Sequence, residues 1–201
     1  MAEVMMFHHV QGLTDGVLAF AENLRSHGHT VHTPDLYAGA LPESIEDGIA
    51  LIQAIGDEVL DLRVVEAVAD LPPGVVFAGF SWGSAKAQGL AQLRPGARGA
   101  LLYEGCLPIT GDWSFGPWPD GVPVQIHGMA NDPFFAQEGD LDSARELVES
   151  VGPELAELFV YPGDAHLFTD SSLPSYDAAG TTLVLQRSLA FLDRVDTLSH
   201  A

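Results

Sequence analysis

The chain has 201 residues, 47% of them apolar and 18% charged, the composition of a folded globular protein and not of a disordered one. Its 28 acidic residues against 8 basic ones leave a formal net charge of −20, which excludes nucleic acid and anionic membranes as partners, since both are bound through Lys/Arg clusters. No apolar run is long enough to span a bilayer, MAEVMMFHHVQG lacks the basic segment of a signal peptide, and the lone cysteine, Cys106, gives no disulfide framework. A cytoplasmic protein is expected. Residues 4–7 form a short apolar run, read as the first strand. Thr14 can cap a helix whose Val17, Phe20, Ala21 and Leu24 recur at helical spacing, closed by His27-Gly28. An extended stretch over 31–33 runs into Pro34-Asp35-Leu36-Tyr37. Helical patterning over 44–69 breaks near Gly56. Pro72-Pro73-Gly74 resets the chain before the β-branched run 75–80, and a small-residue helix follows to about Leu93. Residues 100–103 and 124–127 read as buried strands, 141–150 as a helix, 158–161 as the last strand and 175–195 as the closing helix. Strands separated by helices need crossover connections. The expected fold is therefore α/β: one domain over 1–201, with a mainly parallel sheet covered by helices on both faces. The segment 105–121, rich in Pro, Gly and Trp, is the least regular piece.

In an open α/β sheet, sites form beyond the carboxyl ends of the strands, here the loops that start at His8, Asp35, Ser81, Glu104, Asp132 and Pro162. One of these carries Gly79-Phe80-Ser81-Trp82-Gly83 between a strand and a helix. Glycines at both ends let helix and strand crowd together and leave Ser81 exposed at a strained tip, where the Trp82 amide can donate to an oxyanion. A serine hydroxyl is a weak nucleophile unless a base takes its proton and an acid orients that base. Two later strands run into loops bearing those groups in that order: one ends at Asp132, the other at His166. Asp164, two residues before His166, is the rival acid, placed more naturally for fixing the loop.

With these motifs the chain resembles the dienelactone hydrolase family of the α/β-hydrolase fold. The stretches that carry the resemblance are HTVHTPDLYAG (29–39), GFSWGS (79–84), HGMAND (127–132) and YPGDAHLFTD (161–170). It implies Ser81 as nucleophile, Asp132 as acid and His166 as base, with the Val10 N–H joining that of Trp82 in the oxyanion hole. It also implies a three-layer fold, here in a minimal version without the N-terminal hairpin of larger members, and chemistry without metal or organic cofactor. The departures are specific. Founding members carry cysteine where Ser81 stands, and Cys106 lies in another loop. Ser84 replaces a glycine, and His9 stands where the family places a glutamate. Asp170 stands where the family has an arginine that binds a substrate carboxylate.

His9, Glu104, Trp113 and Phe134 are candidate pocket residues. Each has a plainer alternative: His8 and His9 divided between core and solvent, Glu104 a surface carboxylate, the aromatics mere packing. His27, His29 and His32 do not converge on a point as metal ligands must. The acidic streak 138–142 reads as a solvated helix start. The expected activity is cleavage of a small carboxylic ester or lactone through an acyl-serine, by a monomer or homodimer. A substrate without a carboxylate is favoured, because no basic residue is placed to hold one; Arg63 alone sits on a helix able to overhang the site. A thioesterase or acyltransferase using the same triad, or a non-catalytic ligand-binding protein on the same fold, are the alternatives.

Overall fold

The structure, a computed structural model, describes residues 1–198; residues 199–201 of the expected 1–201 domain lie outside the described residues. In chain order the elements are β1 (Glu3–Phe7), α1 (Asp15–Ser26), β2 (Thr30–His32), α2 (Ile45–Ile55), α3 (Asp57–Val68), β3 (Val75–Phe80), α4 (Trp82–Leu93), β4 (Gly99–Tyr103), β5 (Val124–Met129), α5 (Asp140–Val151), β6 (Ala156–Tyr161) and α6 (Ala178–Leu198). All six strands lie in one sheet in the order β2-β1-β3-β4-β5-β6, and every neighbouring pair is parallel. The strand order reverses between β1 and β3, which opens a crevice at their carboxyl ends.

Alternation along the strands builds a core on each face of the sheet. Met5, Phe7, Val75 and Phe77 face the helices α3, α4 and α5. Val4, Met6, Val76, Ala78 and Phe80 face the opposite way, onto Phe20 and Leu24 of α1 and Phe191 and Leu192 of α6. β3, β4 and β5 are buried along their whole length, as central strands covered on both faces must be. Local chemistry sets the helix ends. Thr14 Oγ1 accepts from the Val17 N–H at 3.2 Å, and Ser44 Oγ accepts from the Asp47 N–H at 3.1 Å. Gly56, with φ +88°, closes α2 and opens α3, the break expected there. α6 begins three residues later than expected because Asp177 caps it, accepting from the Ala179 and Gly180 N–H groups at 2.9 Å each. Among the described residues, no helix is long and apolar enough to cross a membrane.

The loops at the carboxyl edge are tied together by Asp170. Its Oδ2 accepts from His9 Nε2 at 2.7 Å, in the loop after β1, and from Thr14 Oγ1 at 2.5 Å, at the cap of α1. Its Oδ1 accepts from the Ser172 N–H at 2.8 Å and from Ser172 Oγ at 2.6 Å. Because the Gln11 N–H donates to His9 Nδ1, the ring proton sits on Nε2 and points at Asp170. Burial raises the carboxyl's pKa, but the bonds from His9, Ser172 and Thr14 outweigh it and lower the value from 3.8 to about 2. A carboxyl depressed in this way adds stability above its unfolded pKa and loses it as pH falls through the folded one. Asp170→Asn should therefore cost about 2 kcal/mol at neutral pH. In thermal melts the gap between wild type and variant should close between about pH 5 and pH 2. A gap that stays constant over that range would remove the linkage.

Candidate active site

β3 ends at Phe80, and the chain turns at Ser81 with φ +50° and ψ −116°, a conformation that only a strongly constrained non-glycine residue keeps. The flanking glycines show what imposes it. A Cβ on Gly79 would lie 2.1 Å from Gly83 O, and one on Gly83 would lie 2.4 Å from His8 O and 2.6 Å from Phe7 O. The first turn of α4 thus packs backbone to backbone against β3 and β1. Ser84, in place of the family's glycine, closes the turn: its N–H and its Oγ both donate to Ser81 O, at 2.8 and 2.6 Å.

The loops after β5 and β6 complete a chain of hydrogen bonds. Asp132 is fully buried, and its Oδ1 accepts from the Phe134 and Phe135 N–H groups at 2.8 and 3.1 Å. Its Oδ2 lies 2.8 Å from His166 Nδ1, and His166 Nε2 lies 2.8 Å from Ser81 Oγ. A carboxylate only accepts, so Nδ1 carries the proton and Nε2 is free to accept from the serine hydroxyl. Asp164 is exposed and takes no part in this chain. Burial lowers the His166 pKa, but the Asp132 bond and the charges of Glu104, Asp132 and Asp140 reverse the balance and raise it above the ordinary 6.5.

Ser81 and His166 open onto a cavity of about 270 Å3, walled on its apolar side by Trp82, Leu107 and Phe134. The Phe134 ring sits 4.6 Å from the His166 ring. The Trp82 amide opens α4 and Val10 lies buried in the loop after β1; among the described residues neither N–H is spent on a hydrogen-bond acceptor. Glu104 is a wall of the cavity and only 2% exposed, so its alternative as a surface carboxylate falls.

Two candidate pocket residues lie elsewhere. Trp113 is 85% exposed and away from the cavity, because the loop 105–121 folds inward through Trp118 instead, whose Nε1 donates to Val122 O at 2.8 Å. His9 is buried behind the site with its ring committed to Gln11 and Asp170, and it does not line the cavity. His8 is buried too, so the division of the pair between core and solvent is also corrected. Its Nδ1 donates to His9 O and its Nε2 accepts from the Leu36 N–H, while burial lowers its pKa to about 4 and keeps it neutral. Arg63 is held away from the cavity by Leu36 O, to which it donates.

The structure adds residues that the sequence did not mark. Glu138 and Asp140, from the streak read as a solvated helix start, line the cavity. Asp140 Oδ2 accepts from the Cys106 N–H at 2.9 Å, and burial pushes its pKa up to about 6. Cys106 lines the cavity as well, but burial pushes its thiol well above the ordinary range, so it is no thiolate. The signal for Asp140 was available: the streak follows the Asp132 loop directly at the carboxyl edge.

Comparisons with known proteins bear on the family and the fold. The dienelactone hydrolase family model matches residues 1–196. A provisionally named carboxymethylenebutenolidase of Escherichia coli O157:H7 is 27% identical over 205 residues, spanning 92% of this chain and 74% of that protein. Among solved structures, a provisionally named dienelactone hydrolase from Klebsiella pneumoniae superposes with a TM-score of 0.74 at 20% identity, over 96% of this chain and 87% of the other. A dienelactone hydrolase-like promiscuous phosphotriesterase from metagenomic libraries gives 0.74 at 18% identity, over 97% and 87%. Thermogutta terrifontis esterase 2 gives 0.64 at 16% identity, over 96% and 83%. The superpositions establish the α/β-hydrolase fold. On the match that spans nearly its whole length, the chain belongs to the dienelactone hydrolase family and is a hydrolase of the ester and lactone type.

Proposed function

We propose that the protein cleaves a small carboxylic ester or lactone that bears no carboxylate, through an acyl-Ser81 intermediate. The observation that carries this reading is the Ser81–His166–Asp132 chain, with both links at 2.8 Å, opening onto a cavity of about 270 Å3. Ser81 Oγ attacks the carbonyl carbon as His166 Nε2 takes the hydroxyl proton. The carbonyl oxygen becomes an oxyanion, received by the Trp82 and Val10 N–H groups, with the amino end of α4 aimed at it. His166 then gives its proton to the leaving alcohol, leaving the acyl group on Ser81. A water then attacks the acyl carbon as His166 takes its proton; the acyl–Oγ bond breaks, His166 returns the proton to Ser81 Oγ, and the acid departs. Asp132 keeps the imidazole in the right tautomer and balances its charge while it is protonated.

The absence of carboxylate on the substrate follows from the walls. Glu104, Glu138 and Asp140 line the cavity, and among the described residues no Lys or Arg does. Lys86 is paired with Asp61 at 2.7 Å, and Arg63 with the Leu36 carbonyl.

Ser81→Ala and His166→Ala should each lower kcat/KM for p-nitrophenyl acetate by about 10^3-fold or more, and the double variant should be little worse, because the members act as one unit. Losses that multiply would argue against a shared proton transfer. A fluorophosphonate should label Ser81 in the wild type; a folded protein that stays unlabelled is a binder and not a hydrolase.

The pH profile has a defined sign. His166 must be neutral to accept a proton, and its pKa is raised, so kcat/KM should fall through a midpoint above 6.5 as pH drops. Burial sets Glu104 itself near 7, so the limb belongs to His166 and Glu104 as a coupled pair, with Asp132 and Asp140 as the other charges facing the ring. Asp140→Asn removes one raising charge and should move the midpoint down. An unchanged or higher midpoint would show that the cavity carboxylates do not set the base.

A further inference from the structure

The triad makes no use of Glu104, and that residue is the least satisfied polar group at the site. It follows β4 in the left-handed region, with φ +58°, and is buried in the cavity wall. Its Oε1 accepts from the Thr169 N–H and Thr169 Oγ1 at 3.4 and 3.3 Å, both long. Its Oε2 is buried with no hydrogen-bond partner. Leaving a buried carboxylate oxygen unmatched costs free energy, so a native structure that keeps one needs a reason. Burial pushes this carboxyl up to about 7, and an approaching positive charge would restore its ionised form.

The surroundings select the kind of group that would satisfy it. Glu138 and Asp140 add two more carboxylates to the same cavity, and the protein around it carries a net charge of −20. Such a pocket concentrates cations and repels anions. Trp82, Leu107 and Phe134 line the same cavity, which suits a short apolar stem. Among the described residues, no Lys or Arg lines the cavity, and its one basic side chain, His166, is bonded to Asp132 and Ser81.

We propose that the cavity is a recognition site for substrates carrying a protonated primary amine, whose N–H groups donate to the Glu104 carboxyl in its wall while Asp140 and Glu138 supply the rest of the negative wall. This rests on the acyl-Ser81 reading for its chemistry but on the cavity alone for its binding, so the two can be tested apart. Three acetates of one shape serve: 4-(aminomethyl)phenyl acetate, the neutral 4-ethylphenyl acetate, and the anionic 4-(carboxymethyl)phenyl acetate. At about pH 8, where Glu104 is ionised and the amine still protonated, and at low salt, kcat/KM should favour the amine over the ethyl compound by about tenfold, with the anion slowest. Glu104→Gln should bring the amine-to-ethyl ratio close to one. Glu138→Gln, at an exposed position that threatens no core, should lower the ratio by a smaller factor and stands in if Glu104→Gln does not fold. In parallel, Ser81→Ala protein should bind 4-(aminomethyl)phenol more tightly than 4-ethylphenol by calorimetry. Preferential binding of the amine without hydrolysis of any acetate would sustain the subsite and overturn the acyl-serine reading. Hydrolysis with an amine-to-ethyl ratio near one in the wild type would overturn the subsite and leave the acyl-serine reading intact.

Discussion

The first turn of α4 lies against β1 and β3 with no side chain between them, and the geometry of the site follows from that contact. Gly79 and Gly83 meet backbone to backbone, and the carbonyls of Phe7 and His8 occupy the space a Cβ on Gly83 would need. A helix held this close has to begin immediately after the strand ends, so Ser81 takes up the whole change of direction in a single strained residue. The same contact leaves the Trp82 amide at the open end of the helix, beside the loop that carries Val10. It reaches β4 as well. A Cβ on Gly105 would lie 2.2 Å from Ser84 Oγ, so the chain leaves β4 through a glycine, preceded by Glu104 in a left-handed conformation. One close approach therefore positions Ser81, the Trp82 amide and the buried Glu104 carboxyl.

Three histidines near the carboxyl edge show how environment divides the roles of one side-chain type. His8 and His127 are fully buried, and burial holds them neutral, near 4 and near 3. His127 spends its ring on Tyr161 and Gln125, each at 2.9 Å, and stacks on Tyr103. His166 is also buried, yet its pKa moves the opposite way, because carboxylates surround it and one is bonded to it. Desolvation alone would make every one of these rings a poor base. The acids around His166 keep it basic, and the same acids give the cavity its sign.

The fold was legible because its cues were local. Uninterrupted apolar runs marked β3 and β4, Thr14 marked a cap, and Gly56 marked a break. The chain Ser81–His166–Asp132 was legible for a related reason: each member follows directly on a strand, so parallel pairing brings the loops to one edge. What stayed hidden depended on contacts between segments far apart in the chain. The bond between His9 and Asp170 spans 161 residues, and nothing in either neighbourhood announces it. Trp113 and Trp118 are equivalent in sequence, and only the turn-in of their loop toward Val122 decides which is buried. Asp140 looked like one acid in a solvated run until the Cys106 amide reached across from the loop after β4. Strand β6 begins at Ala156, earlier than its apolar run, since Glu157 is half-buried and held by Arg194 and Gln125.

Asp170 connects these strands of argument. An arginine at that place would put a cation beside the site; a carboxylate there turns inward instead, because His9, Thr14 and Ser172 all donate to it. That inward turn takes His9 out of the cavity along with it, since the ring that bonds Asp170 and Gln11 has no nitrogen left for a ligand. With His9 and Asp170 turned inward, Glu104, Glu138 and Asp140 are the acidic side chains of the cavity wall. Three carboxyl groups at its wall and, among the described residues, no Lys or Arg there give the cavity a field that favours cations over anions.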